Sequence, residues 1–413
     1  MATGFSWRRN VFAMTAASFV GFTGFTLVMP FLPLYIRSLG VTDVAQTALW
    51  AGLSLGATPA VTAVLAPFWG RVADRFGRKL MVERSLISFV IIMSAMAFVT
   101  QAWQIFALRV LQGCFAGYGG LTLAMAAESA PRERMATAIG SVQTAQRLGP
   151  ALGPVIGGGV AGLVGLRQAF FVTAAFYLAA FVVVLVLYRD PDKAHGEVGV
   201  SSAQTPDVRA VLRGPGFVLM MAVIFAVTFV DRSFGPILPL YVEHLGVPPG
   251  RVALVAGLLF STTAAGAVIG NHLCEYLLLR MRPAEVVAGG AVTAAAALTA
   301  FLALSGLWGP GISLAVFGVG VGTALTAAYT IGGRTVPAAM HATGFGFMTA
   351  ASLAGLALSP IIAGLLSRGS LLVVFGVDVL MLVVVGIAVY RGPPAGGIPA
   401  GAGDVPASAQ DAI

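Results

Sequence analysis

The sequence predicts an all-α integral membrane protein with twelve transmembrane helices in two pseudo-symmetric six-helix bundles. Three observations support this fold class: an apolar composition, long apolar segments and an internal repeat. Of the 413 residues, 58% are hydrophobic and 10% are charged, whereas soluble domains are about 25% charged. Because about 20 apolar residues span a bilayer, the nearly continuous apolar segments exclude a soluble globular fold.

Twelve apolar segments follow one another along the chain. They cover residues 10–35, 45–69, 80–100, 103–127, 135–164, 167–188, 215–241, 250–279, 284–305, 309–331, 340–366 and 370–390. A polar linker at residues 191–213 separates six segments from six, so we expect one bundle at 1–190 and another at 214–391. Residues 392–413 are rich in Pro, Gly and Ala, a composition that favours a disordered cytoplasmic tail.

The net charge of +8 is explained by membrane topology. If both termini are cytoplasmic, the cytoplasmic segments hold 17 of the 24 Lys and Arg residues, and the outer loops hold only Arg37, Arg167, Arg251 and Arg368. Multi-pass proteins concentrate Lys and Arg in their cytoplasmic loops. The distribution therefore predicts two cytoplasmic termini and gives no support to a nucleic-acid partner.

The residues that usually hold metals or cofactors form no pattern in this chain. Both cysteines, Cys114 and Cys274, fall within predicted spans, and the four histidines are scattered. No glycine-rich loop with a Lys-Ser/Thr pair for binding phosphate occurs. We therefore expect no metal, no cofactor and no enzymatic activity.

An internal repeat relates the two halves at an offset of 206 residues. The block Pro30-Phe-Leu-Pro-Leu-Tyr35 recurs as Pro236-Ile-Leu-Pro-Leu-Tyr241, and the same offset relates Gly149–Gly158 to Gly355–Gly364. Parallel six-helix repeats place a shared site between the halves, near the middle of the bilayer.

The segment Gly70–Lys79 follows the second span and is interpreted as a cytoplasmic loop. It reads Gly-Arg-Val-Ala-Asp-Arg-Phe-Gly-Arg-Lys and resembles the loop signature of the major facilitator superfamily, Gly-x-Leu-Ala-Asp-Arg-x-Gly-Arg-Lys, with Val72 as the one departure. The resemblance implies a transporter whose cytoplasmic gate includes Gly70, Asp74, Arg75, Gly77, Arg78 and Glu128. Asp74 would lie near His341, and Arg78 or Arg75 would pair with Glu128. The alternative is that these charges only anchor the topology.

Two further segments resemble motifs of the same superfamily. Arg109-Val-Leu-Gln112-Gly113 in the fourth span resembles its Arg-x-x-Gln-Gly motif, which is implicated in proton coupling. An arginine within a span normally faces a cavity or a partner, and the alternative here is a structural polar contact that orders the bundle.

The fifth span resembles the motif that marks the drug:proton antiporters of the superfamily. The matching residues are Gly149, Pro150, Gly153, Pro154, Gly157 and Gly158. Glycines four residues apart let helices approach closely, and prolines bend a membrane helix. The partial copy at Gly355–Gly364 supports the alternative, a generic packing face.

The segments 28–35, 67–70 and 78–81 further resemble bacterial multidrug exporters of the fosmidomycin-resistance type. This resemblance implies a monomeric, proton-coupled exporter of small lipophilic or amphiphilic compounds in the bacterial inner membrane. Two alternatives remain open, a proton-coupled importer of a small metabolite and a non-transporting membrane sensor. The antiporter motif argues against the importer.

The first span contains no acidic residue, so we place the proton carrier elsewhere. Our hypothesis is that Asp231 in the seventh span binds and releases the coupled proton, and that Arg109 or Arg232 modulates its protonation. Asp378 is a second candidate for the proton carrier. Burial favours a neutral carboxyl group and a nearby arginine favours a charged one, so a carboxylate held between these effects can load and release protons. The alternative is a purely structural ion pair between Asp231 and Arg232.

We expect an apolar, aromatic cavity between the halves, which suits amphiphilic or aromatic molecules. The candidate lining residues are Phe22, Phe25, Gln112, Tyr118, Gln143, Arg147, Phe229 and Tyr329, with Phe31, Phe225 and Phe234 as further aromatic candidates.

Overall fold

The computed structural model of the protein describes residues 7–131, 134–189, 216–304, 308–336, 341–368 and 370–391. The predicted linker and the predicted tail lie outside these residues. The described chain forms α1 (Trp7–Leu27), α2 (Leu32–Ser38), α3 (Val44–Phe76), α4 (Arg78–Met96), α5 (Ala102–Phe115), α6 (Tyr118–Ser129), α7 (Met135–Val164), α8 (Leu166–Leu187), α9 (Phe217–His244), α10 (Pro249–Leu278), α11 (Pro283–Ala303), α12 (Trp308–Thr335), α13 (His341–Leu366) and α14 (Leu371–Arg391).

Successive spans run in opposite directions and are joined by short turns. A single residue, Gly77, separates α3 from α4, and a single residue, Gly165, separates α7 from α8. Their φ angles are +96° and +94°, values that glycine adopts without a steric penalty. We call the end of the bundle that contains Gly77 the Gly77 end, and the opposite end, which contains Gly40 and Gly165, the Gly40 end.

Asn10 joins three helices of the first half at the Gly77 end. Its Nδ2 donates to Ser129 Oγ at 3.2 Å and to Arg189 O at 2.7 Å, and its Oδ1 accepts from Arg189 N at 3.1 Å. Lys79 Nζ donates to Tyr188 O at 3.0 Å nearby. These bonds show that the ends of α1, α4, α6 and α8 lie together.

Two predicted spans are each divided into two helices. The first span turns at residues 28–31 and resumes as α2, with Pro33 in the first helical turn, where its missing N–H costs no hydrogen bond. The fourth span is interrupted at Ala116 and Gly117, and Gly117 has a φ of +119°. The second copy of the proline block behaves differently, because α9 continues through Pro236 and Pro239 as one helix.

The interpretation of residues 70–79 as a loop was wrong. The helix α3 continues to Phe76, and α4 begins at Arg78 after Gly77 alone. At about 1.5 Å per residue, the 33 residues of α3 exceed a hydrocarbon core of about 30 Å. The apolar pattern ends at the membrane boundary, but a helix can continue into water with charged side chains.

The twelve-span architecture is otherwise confirmed. Eleven of the described segments are long and apolar enough to cross a membrane. The remaining span, α4, falls short of this criterion because Arg78, Lys79, Glu83 and Arg84 lie in its first two turns. It nevertheless packs against α5 and α8 as a member of the first bundle.

Buried apolar side chains form two cores, one in each half. Among the buried residues that the structure describes, the first core comes from the helices before the linker and takes only Ala253 from the second half. The second core comes from the helices after the linker and takes only Ala48 from the first half. Each half therefore has its own packed interior, as a pair of bundles requires.

In the described part of the chain, the halves touch mainly along two helix pairs, α7 with α10 and α3 with α13, and α9 makes smaller contacts with α2 and α3. Glycines bring the backbones together: a Cβ added at Gly158 would collide with Ala253 O, and one added at Gly364 would collide with Ala48 O. Contacts of the same kind join Gly257 to Pro154 and Gly52 to Pro360. These residues all lie on the Gly40 side of their helices, so the halves are closed against each other at that end.

Candidate functional site

A cavity of about 370 Å³ lies between the two halves, a volume that suits a small organic molecule. Its apolar wall comes from both halves and consists of Met29, Pro150, Ala151, Pro154, Phe234, Gly235, Leu238, Phe260, Ala264, Ala267, Val268, Val321, Gly322 and Leu325. Its polar groups are Thr26, Gln146, Arg147, Asp231, Arg232, Thr263, Asn271, Thr326 and Tyr329.

The cavity opens towards the Gly77 end. Its Gly40 side is closed by the glycine contacts of α7 with α10 and of α3 with α13. On the other side, the polar residues Gln143, Thr144 and Arg147 of α7 are exposed. The cavity is therefore accessible from the Gly77 end and closed at the Gly40 end.

Three charged side chains lie on the cavity wall. Arg232 Nε is 3.1 Å from Asp231 Oδ2, and the two side chains are 35% and 23% exposed. Arg147 contributes a second arginine from α7, in the other half. While Asp231 is ionised, the wall therefore carries one net positive charge. This ion pair is compatible both with the proton-coupling hypothesis and with its structural alternative, so the role of Asp231 stays a prediction.

The structure places three of the candidate lining residues, Arg147, Phe234 and Tyr329, on this cavity wall. The others, Phe22, Phe25, Phe31, Gln112, Tyr118, Gln143, Phe225 and Phe229, do not line it in this conformation. The rings of Phe22 and Tyr118 pack within the first half, with centroids 5.5 Å apart. Contact of these other side chains with a substrate stays a prediction.

Sequence reasoning missed several polar wall residues, most clearly Asn271. Its side chain lies 2.8 Å from Thr326 Oγ1, and its amide nitrogen can donate to Gly322 O at 3.0 Å, so it joins α10 to α12 beside the cavity. Gln146 was also missed; its Nε2 donates to Gly119 O at 2.9 Å. Asn10 and Asn271 are the only asparagines in the sequence, and this rarity was the signal that could have identified Asn271.

The sequence profile of the Major Facilitator Superfamily matches residues 14–350. The chain belongs to this superfamily. Its relatives include multidrug resistance protein MdtG of Escherichia fergusonii, 32% identical over 330 residues, with 79% of this chain and 80% of that protein covered. The MdtG protein of Serratia proteamaculans is 32% identical over 327 residues and covers 79% of each chain.

Solved structures of the superfamily share the fold. A bacterial homolog of the human lysosomal transporter Spinster, in an inward-facing and unoccupied conformation, has a TM-score of 0.78 at 18% identity and covers 94% of this chain and 97% of its own. A D-xylose-proton symporter has a TM-score of 0.74 at 13% identity and covers 94% and 99%. Identities this low support the fold alone.

Arg78 lies in the segment Gly70–Lys79, which resembles the superfamily signature, and it forms an ion pair with Glu128. The sequence predicted that either Arg78 or Arg75 would pair with Glu128. The guanidinium of Arg75 instead lies 5.4 Å from the ring centroid of Phe76. Arg78 and Glu128 both belong to the first half, so their pair joins α4 to α6 and does not bridge the halves. Gly70 lies on α3 facing open space, and the predicted contact of Asp74 with His341 falls on side chains outside those described.

The antiporter motif packs α7 against two partners. Gly149, Gly153 and Gly157 face α1, where an added Cβ would meet the backbone at Phe19, Thr23 and Leu27. Gly158 faces α10 of the second half, and the two motif prolines, Pro150 and Pro154, lie on the cavity wall. A shift of α7 would therefore change its contacts with α1, its contact with α10 of the second half and the shape of the cavity.

The second copy of this motif keeps part of the packing. Gly355 meets the backbone of α9 at Phe225 and Phe229, as Gly149 meets α1. The positions that correspond to Gly153 and Gly157 are Ser359 and Ala363, and Ser359 Oγ donates to Phe229 O. Side chains therefore occupy two of these positions in the second half, and glycine faces the neighbouring helix at all three positions only in the first.

Arg109 and Asp378 lie inside their own halves, away from the cavity. Arg109 is 2% exposed; its Nη1 donates to Gln112 Oε1 at 3.0 Å, and its Nε and Nη2 have no hydrogen-bond partner among the described residues. Asp378 is fully buried and accepts from Ser233 Oγ at 2.5 Å. Of the four predicted proton-coupling residues, only Asp231 and Arg232 meet on the cavity wall.

Proposed function

We propose that this protein exports small lipophilic or amphiphilic compounds by alternating access and that protons drive the export. The observation that carries the proposal is the cavity between the halves, with apolar walls, one ionisable carboxylate and one closed side. Its relatives among the multidrug resistance proteins support the same substrate class. Because one chain supplies every wall of the cavity, we propose that a monomer is sufficient.

We further propose that the Gly77 end faces the cytoplasm of a bacterial cell. The predicted distribution of Lys and Arg places the start of the chain and residues 70–79 on that side. In the conformation described, the cavity would then receive compounds from the cytoplasm or the inner leaflet. Export requires the halves to rock so that the Gly40 end opens and the Gly77 end closes.

We assign proton coupling to Asp231. Protonation neutralises its carboxylate and removes the partner of Arg232, so it changes the charge on the same wall that a substrate contacts. Enclosing charges away from water is costly unless they are paired. The protonation state of Asp231 therefore biases which side of the cavity closes, and a bound substrate biases the same equilibrium.

The test compares Asp231→Asn with Asp378→Asn, the same chemical change on and off the cavity wall. Each variant is expressed in a pump-deficient bacterium for dye efflux with and without a protonophore, and is reconstituted in liposomes with an imposed pH gradient. We expect wild-type efflux to stop with the protonophore. We expect the gradient-driven export rate of Asp231→Asn to be lower than that of wild type by about tenfold or more, a typical coupling magnitude. Exchange of substrate without a gradient should persist in this variant.

Other outcomes would redirect the proposal. Gradient-driven export by Asp231→Asn at the wild-type rate would exclude Asp231, and loss of coupling only in Asp378→Asn would move the role to that residue. Uptake in place of export, or efflux indifferent to the protonophore, would overturn proton-driven export itself.

A further inference from the structure

The closed Gly40 end carries an ion pair between the halves. Arg37, in the last turn of α2, donates through Nη1 to Glu243 Oε2, in the last turn of α9. Each of the two side chains is 33% exposed. The pair borders a recess of about 420 Å³ that also includes Gly162 and Gly250, so it is continuous with the contact of α7 with α10.

The positions of these two residues are related by the internal repeat. Arg37 and Glu243 are 206 residues apart, the offset that aligns Pro30 with Pro236 and Tyr35 with Tyr241. A residue meets its own symmetry equivalent only where the two-fold axis passes between them. The ion pair therefore marks the pseudo-two-fold axis at the Gly40 end.

The charges of the pair depart from the symmetry in the direction that favours contact. If both copies of the repeat carried the same charged residue, two like charges would face each other across the axis and repel. The chain has a cation in one copy and an anion in the other. Although many other positions of this block are identical in the two halves, this one has opposite charges.

We propose that Arg37 and Glu243 are positioning residues for transport: their ion pair holds the Gly40 end closed while the cavity is open at the Gly77 end. This inference rests on the proposed alternating access. The residues belong to different halves and lie on the pseudo-two-fold axis at the closed end, partly exposed, so rocking that opens this end separates them. The pair must therefore break and re-form once in each cycle.

The strength of the pair suits this role. An ion pair with this much exposure shifts an equilibrium by only about 1.5- to 5-fold, and salt weakens it because its charges are in contact with water. It is strong enough to bias the resting conformation and weak enough to break in every cycle.

The test measures the opening of the Gly40 end directly. Spin labels at Val44→Cys on α3 and Arg251→Cys on α10, two exposed positions in opposite halves, report the separation of the halves by pulsed dipolar spectroscopy. The full chain is used in phospholipid nanodiscs, with Cys114 and Cys274 replaced by alanine. In this background we compare Arg37→Ala, Glu243→Ala, Arg37→Glu and the exchange of both charges, Arg37→Glu with Glu243→Arg.

We expect each single change to raise the ratio of open to closed molecules by about 1.5- to 5-fold at low salt and by less in high salt. Arg37→Glu should have the largest effect, because two carboxylates then face each other, and the charge exchange should restore the wild-type distribution. Arg368→Ala removes a positive charge at the same end without touching the pair and should change nothing.

The proposal would be overturned if the single variants left the distance distribution unchanged, or if a folded charge-exchange variant kept the Gly40 end open. The readout is independent of the proposed export, because a protein that fails to export can still show the salt-sensitive shift.

Discussion

At the scale of the residue, the charged side chains of this chain fall into those that meet the cavity and those that do not. Asp231, Arg232 and Arg147 lie on the wall, where a substrate or a proton can reach them. Arg109 is buried in the first half, and among the described residues its guanidinium makes a single hydrogen bond, to Gln112. A buried charge without an ionic partner is destabilising, so Arg109 calls for an explanation beyond stability.

Replacing Arg109 and Gln112 together separates the functional from the structural interpretation. We predict that Arg109→Met with Gln112→Leu unfolds at the same temperature as wild type or higher, because replacing both partners by apolar groups of similar shape is nearly neutral or stabilising. Export should nevertheless fall if Arg109 takes part in coupling. Thermal unfolding in detergent and efflux normalised to the amount of protein in the membrane measure the two effects. A lower unfolding temperature with unchanged export would show that the pair is structural.

The sequence could identify which residue types belong near the site but not which way they point. Gln143 and Gln146 are one helical turn apart on α7, yet only Gln146 lies on the wall. Phe229 and Phe234 are five residues apart on α9, and only Phe234 does. Gln143 and Gln146 lie on nearly the same face of α7, so their position along the helix separates them. Phe229 and Phe234 lie on different faces of α9, so the choice between them depends on how α9 is rotated against its neighbours, and that rotation is set by packing with residues distant in sequence.

At the scale of the element, α7 contacts α1 of its own half, α10 of the other half and the cavity. Its glycines at 149, 153 and 157 follow a four-residue spacing and form one face against α1. Gly158 lies one residue beyond that face and meets the second half. The repeat predicted this helix and its repeat equivalent α13, because α13 carries a partial copy of the same Gly and Pro pattern. It could not predict which helix each glycine would face.

We predict that Gly157→Ala impairs both stability and export. The added methyl group would collide with Leu27 O, and overpacking of this kind costs about 1–3 kcal/mol. The matched control is Gly140→Ala in the same helix, where a Cβ would meet open space and the loss of a glycine should stabilise the helix by about 0.5–1 kcal/mol. Thermal unfolding and dye efflux of the two variants test the prediction, and equal behaviour of both would contradict it.

At the scale of the whole molecule, the closed end is built twice from equivalent parts. The contact of Gly158 with Ala253 corresponds to the contact of Gly364 with Ala48, the glycines being 206 residues apart and the alanines 205. The repeated segments Pro30–Tyr35 and Pro236–Tyr241, 206 residues apart, were sufficient to predict two related bundles. The conformation, closed at the Gly40 end, was not predictable, because one sequence must be compatible with both states of a transporter.

We predict that Gly158→Leu and Gly364→Leu shift the protein towards an open Gly40 end by similar amounts. Overpacking costs about 1–3 kcal/mol, which corresponds to a change of about 5- to 150-fold in the conformational equilibrium. The distance between labels at Val44 and Arg251 reports the shift. Gly289→Leu, at an exposed position where a Cβ would meet open space, is the control. A response at only one of the two contacts would show that they are not equivalent.

The short apolar stretch of α4 has a consequence for how the chain enters the membrane. After Arg84 the apolar residues of α4 extend for about 18 Å, less than a bilayer core of about 30 Å, and charged residues are costly to insert alone. Arg84 is accommodated by its neighbours: its guanidinium lies 3.5 Å from the ring centroid of Trp69 on α3, and its Nη2 donates to Phe115 O on α5 at 3.1 Å. During biosynthesis, α4 should therefore leave the translocon together with α3 and α5 rather than as an independent segment.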